Sequence, residues 1–117
     1  MIAGILSEPA YENRVAILPG EAAVLVKMGL EVLVEKGAGR RAFASDKDYE
    51  NAGATMAARG ETITRADMIL TINPPLDDDV RSFREGQIIC TVLNPVENKK
   101  WLDMIRQRGV TLLALDL

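Results

Sequence analysis

The residue best placed to do chemistry is Arg14. It lies in Glu12-Asn13-Arg14-Val15-Ala16-Ile17-Leu18-Pro19, after the apolar run Ile2-Ala3-Gly4-Ile5-Leu6 and before an apolar helical segment opened by Pro19 and closed by Gly29. Strand, polar loop and helix in that order make the first half of a βα unit. In open α/β sheets ligands gather at the carboxyl ends of the strands, which is where this loop delivers its guanidinium. The group is permanently charged and forked, suited to holding a carboxylate or phosphate in one orientation. A solvated loop arginine is the competing reading, and spacing alone leaves both open.

Other reactive residue types are scarce. The chain has no histidine and one cysteine, so a Cys-His dyad and an internal disulfide are excluded, and a zinc site lacks its usual ligands. Cys90 lies within Ile88-Ile89-Cys90-Thr91-Val92-Leu93 and reads as a small buried hydrophobe rather than a nucleophile. Asp77-Asp78-Asp79 has the look of a metal cluster, but it directly follows Pro74-Pro75-Leu76 and opens a predicted helix, where acids complement the dipole. Gly37-Ala38-Gly39 follows a predicted strand, yet it lacks the third glycine of a dinucleotide loop and reads as a turn. No catalytic residue and no metal ligand is assigned.

The elements that must position Arg14 are those of a parallel sheet covered on both faces. Predicted strands span residues 2–6, 31–35, 68–72, 87–93 and 110–115, and Thr55-Met56 adds a very short extra one. None alternates cleanly, as expected of strands buried on both sides. The segment 20–28 is apolar nearly all round and predicts a helix buried between the sheet and another layer. Ser45 with Asp48 fits a capping box for a helix that stops at Gly53. Asn98 caps a last helix with Leu102 and Ile105 facing inward, and Gly109 releases the chain into the final strand.

A length of 117 residues fits one domain with one sizeable core, and 48% hydrophobic with 26% charged residues fits a soluble globular class. A net charge of -3 and five scattered aromatic residues give no basis for binding nucleic acid. No apolar stretch approaches the ~20 residues needed to span a bilayer. The chain opens directly on a strand, so no signal peptide is expected.

Taken in register, these segments resemble one family. Glu8, Glu12-x-Arg14-Val15-Ala16, Pro19 and Gly29-x-x-Val32-Leu33-Val34-Glu35-x-Gly37-Ala38-Gly39 are similar to the amino-terminal domain of alanine dehydrogenases and nicotinamide nucleotide transhydrogenases. Phe43, Tyr49, Ala52-Gly53-Ala54, Ala66-Asp67, Pro75-Leu76 and Gly86 extend the match over essentially the whole chain. The resemblance implies a flavodoxin-like, doubly wound, mainly parallel α/β sheet with helices on both faces. It also implies that NAD(H) is bound by a separate Rossmann domain, so NAD and NADP belong to the parent complex and none is expected on this chain alone.

Two positions discriminate within that family. Alanine dehydrogenases carry a substrate-contacting lysine after the fourth strand and a proton-donating histidine after the next; the matching positions here are Asn73 and Asn94. An amide exchanges no proton near neutral pH, so oxidative deamination would lose both its acid/base group and its cationic anchor. Thr71-Ile72-Asn73-Pro74-Pro75-Leu76-Asp77-Asp78 instead resembles a transhydrogenase alpha subunit. Ser7 replaces a usual lysine, and Leu18 stands where a threonine commonly precedes the proline, which removes a helix cap. The resemblance implies the first domain of a proton-translocating NAD(P) transhydrogenase alpha subunit, with Arg14 and Asn73 facing the cleft in which hydride passes from NADH to NADP+. For Asn73, a turn residue steadying its own Pro-Pro loop is an equal reading.

The alternatives are an alanine dehydrogenase-like or saccharopine-type dehydrogenase and a non-enzymatic flavodoxin-like module. A response-regulator receiver is disfavoured, because Glu8, Asn73 and Asn94 do not supply its phosphoacceptor set. The parent is expected in the cytoplasm, peripheral to the inner membrane, with the NADP-binding and membrane parts as partners. Because the chain ends at Leu117, before the family's nucleotide domain and returning segment, apolar surface is expected around segments 20–28 and 110–115. Self-association as a homodimer is expected to follow.

Overall fold

A computed structural model describes residues 1–93 and 98–115. Six strands, β1 (Ile2–Ile5), β2 (Glu31–Glu35), β3 (Thr55–Ala57), β4 (Met68–Leu70), β5 (Ile88–Thr91) and β6 (Thr111–Ala114), form one sheet in the order β3-β2-β1-β4-β5-β6. Every neighbouring pair is parallel. Without β3 the order is the flavodoxin-like one; β3, the short strand expected at Thr55-Met56, extends it by one edge strand to the order of the dinucleotide-binding sheets. β1 lies inside the sheet, as expected of an apolar run buried on both faces.

Helices α1 (Pro19–Lys27), α2 (Asp46–Asn51), α3 (Arg59–Arg65), α4 (Asp77–Val80) and α5 (Lys99–Gln107) cover the sheet. Alternate residues of β1 and its continuation feed two cores. Ile5 joins Val32, Val34, Ala22 and Tyr49, whereas Leu6 joins Ile63, Ile69, Phe83, Trp101 and Ile105. The Ser45 box is present: Ser45 Oγ accepts from Asp48 N, and Asp48 accepts from Ser45 N. Gly53 ends that segment at φ +98°. At α1 the hydroxyl cap is absent, but the Glu21 carboxylate accepts from Leu18 N at 2.9 Å and satisfies one free donor.

Two expectations need correction. Helix α1 is not buried all round. Ala22 is covered, but Val24 and Met28 are 56% and 70% exposed, because the described chain packs on one side of the helix only. Cys90 is half-buried rather than buried. Phe43 adds an apolar residue at the surface: it is 98% exposed and left-handed at φ 62°, which leaves Ala44 to fill the core beneath. Apolar exposure at the other predicted place is observed, with Leu113 at 50%. Among the described residues no helix is long and apolar enough to cross a membrane.

Candidate functional site

The sheet is built outward in two directions from β1, so its switch point lies between β1 and β4, where open α/β sheets leave a crevice at the strands' carboxyl ends. A cleft of about 620 Å³ opens there, lined by Ser7 to Ala10 after β1, Glu35 and Lys36 at the end of β2, Ala58 and Arg59 after β3, and Thr71 and Asn73 to Leu76 after β4. Four strand ends therefore contribute to one site.

Its floor is a set of carboxylates that bind protein rather than wait for a ligand. Glu8, buried, accepts from Ile72 N at 2.8 Å, from Asn73 N at 2.9 Å and from Asn73 Nδ2 at 3.1 Å, bridging β1 to β4 across the switch point. Asn73 Nδ2 also donates to Glu12 at 3.2 Å. Carboxylates only accept, so this contact pair fixes the amide orientation, and both amide hydrogens are used. From α5, Trp101 Nε1 donates to Pro75 O at 2.8 Å and holds the Pro-Pro loop.

Asn73 lines the cleft; Arg14 does not. The Arg14 side chain is 73% exposed and forks onto Glu12, Nε to Oε2 and Nη2 to Oε1, both at 2.9 Å. It reaches the cleft only through Glu12 and Asn73. Arg14 holds the Glu12 carboxyl at about 2, well below the usual carboxylate value. A lowered value of this kind makes the charged contact complete above the ordinary pH of about 4.5 and lost as pH falls to about 2. Arg14→Gln is expected to return the Glu12 titration, followed by carboxyl NMR, toward its ordinary position; an unchanged titration would mean that Arg14 is not the cause.

Sequence reasoning missed two residues that shape the site and misjudged a third. Arg41 donates to Glu8 O and Pro9 O at 2.8 Å and to Glu12 O at 3.1 Å, pinning the loop that carries Arg14. Arg59 pairs with Asp79 at 2.6 Å and Glu35 at 3.0 Å, and these two carboxylates hold it above the ordinary arginine value. Asp79 thus does more than complement a dipole. The signal for Arg59 was available: it comes just after a short strand and opens a helix, a placement akin to the one that singled out Arg14. Its charge is outnumbered by its two carboxylates, so it offers little to an anion; Lys36 is exposed at the rim.

The Gly37-Ala38-Gly39 turn does not fit a dinucleotide. Gly37 N donates to Asp46 Oδ1 at 2.9 Å, so this backbone amide already serves a carboxylate. A Cβ on Gly39 would sit 2.7 Å from both Ala44 O and the Tyr49 ring, so that glycine serves packing. Burial pushes the Cys90 thiol up, away from a nucleophilic thiolate. Among the described residues no cluster of acids, cysteines or histidines could hold a metal ion. Asn94 lies outside the described residues.

A family model described as alanine dehydrogenase/PNT, N-terminal domain, matches residues 4–117. The chain belongs to this family. It is 37% identical over 105 residues to an alanine dehydrogenase of Staphylococcus haemolyticus, covering 90% of this chain and 28% of that protein. It is 33% identical over 117 residues to that of Bacillus subtilis, covering 99% and 31%. Among solved structures, a transhydrogenase from Sinorhizobium meliloti superposes with a TM-score of 0.92 at 29% identity, over 97% of this chain and 34% of that one. An L-alanine dehydrogenase also reaches 0.92, at 27% identity over 97% and 32%. The chain therefore spans about a third of the length of these oxidoreductases.

Proposed function

We propose that this chain is the first domain of a proton-translocating NAD(P) transhydrogenase alpha subunit, and that its cleft forms one wall of the space where hydride passes between NADH and NADP+. Asn73 carries the proposal. The loop that offers a lysine anchor in alanine dehydrogenases here presents a neutral amide whose hydrogens are held by Glu8 and Glu12. Such a group neither titrates near neutral pH nor anchors a substrate carboxylate by charge. Hydride exchange between two nicotinamides requires no protein acid or base at the reacting carbon; it requires a dry, fixed wall. Pro9, Ala10, Ala58, Pro74, Pro75 and Leu76 supply apolar lining. Beneath it, no buried side-chain polar atom among the described residues lacks a partner.

In this proposal the nucleotides are bound by other domains, and this chain's residues exclude water and set the wall. The parent would work at the cytoplasmic side of the inner membrane, with the NADP-binding and membrane parts as partners and a second copy completing a dimer. Identity to two alanine dehydrogenases supports deamination as the second reading. One comparison decides between them: the full-length parent, assembled with its NADP-binding partner, is expected to pass hydride between NADH and an NADP+ analogue and to show negligible NAD-dependent deamination of alanine. Alanine turnover comparable to an authentic alanine dehydrogenase would overturn the proposal.

A further inference from the structure

The structure assigns Arg59 a positioning role: its planar fork ties the loop after β1, the last residue of β2 and the first turn of α4 to the start of α3 and so sets the width of the cleft. This goes beyond the transhydrogenase proposal and stands whichever substrate uses the site. Nε and Nη2 straddle Asp79 at 2.9 and 2.6 Å, while Nη1 reaches both oxygens of Glu35 at 3.0 and 3.1 Å and Ser7 O at 3.2 Å. The two acids pass the constraint on. Glu35 accepts from Ser7 N at 2.8 Å, and Asp79 accepts from Leu76 N at 3.0 Å. A continuous chain of charge-assisted bonds thus runs from Ser7 on one lip of the cleft to Leu76 on the other. A lysine would carry the same charge but, as a compact ammonium, could not give Asp79 two parallel bonds while still reaching Glu35.

Variants of the full polypeptide separate positioning from mere charge balance. Arg59→Lys keeps the charge and loses the fork. Arg59→Met combined with Glu35→Gln and Asp79→Asn removes the stranded acids but leaves an acceptor for Ser7 N and Leu76 N. Arg65→Lys, on the exposed pairs with Glu31 and Glu61, is the control. Hydrogen–deuterium exchange is measured for peptides covering residues 6–12 and 72–80, against residues 105–114 in the same sample. Arg59→Lys is expected to accelerate exchange in both cleft peptides by about tenfold and leave the reference unchanged. The triple variant is expected to regain the wild-type Tm while its cleft peptides stay fast. Wild-type exchange in Arg59→Lys, uniform acceleration across all peptides, or loop protection returning together with the Tm in the triple variant would each overturn the role.

Discussion

Gly4→Val is expected to lower stability by about 3 kcal/mol, near the upper end of what overpacking a core costs. A Cβ at this point of β1 would lie 2.8 Å from Ala66 Cβ, 3.2 Å from Thr62 Cγ2 and 3.3 Å from Thr62 O. Two of those atoms are short side-chain carbons and the third is helix backbone, so nothing there can swing aside. Helix α3 lies this close to the central strand only because position 4 has no side chain, and valine adds two further methyl groups to the collision. Gly60→Ala makes the control. Gly60 is inside α3, and a Cβ there meets nothing within 4 Å, so the change is expected to stabilise by up to about 1 kcal/mol through lost freedom of the unfolded chain. Denaturant unfolding measures both. A Gly4→Val protein as stable as the parent would mean that α3 does not approach β1 this closely.

Glu8→Ala carries the second large effect, about 3 kcal/mol. The substitution strands the N–H groups of Ile72 and Asn73 together with one amide hydrogen of Asn73, and each part-buried donor left unpaired costs about 1–3 kcal/mol. Glu8→Gln keeps the shape but retains one acceptor oxygen and must turn an NH2 toward donors, so about half of the loss is expected to persist. The damage should concentrate at the cleft: Asn73 loses one of the two carboxylates that orient it. A Glu8→Ala variant within about 0.5 kcal/mol of wild type, the scatter of neutral surface changes, would remove Glu8 from its bridging role.

The sheet was legible because buried parallel strands are short, apolar and separated by helix-length segments. Residues 31–35 match β2 to the residue, and β1, β4, β5 and β6 end one or two residues inside their predicted limits. The cleft was legible only in part. A strand-end rule delivers a residue to the right end of the sheet, but it does not say which way the side chain turns. Arg14 met a carboxylate two positions away and forked onto it, outside the cleft. Asn73 faces two acids from a different strand's loop, 61 and 65 residues distant, a pairing with no local signature. Arg59 follows the short strand expected at Thr55-Met56, but Ala58 supplies no side-chain cap to mark the start of α3 and with it the link of a βα unit. Helix α1 misled for a related reason: an apolar circumference records what a helix can bury, not how many sides its chain covers.

The junction of β1 with β4 is fastened at both ends by a carboxylate. Asp67 accepts from Ile2 N at 2.7 Å where the strands begin, and Glu8 accepts from Ile72 and Asn73 where they end. Residues 2 and 67 are 65 apart in sequence, whereas the strand pairs on either side of the junction join nearer neighbours. Pairing β1 with β4 therefore closes the longest loop in the sheet and carries its largest closure entropy, whereas the β1–β2–β3 half and the β4–β5–β6 half are joined by shorter connections. The two carboxylates hold the halves together at this seam. Since the cleft lies across it, any fluctuation that parts the two halves also takes the site apart.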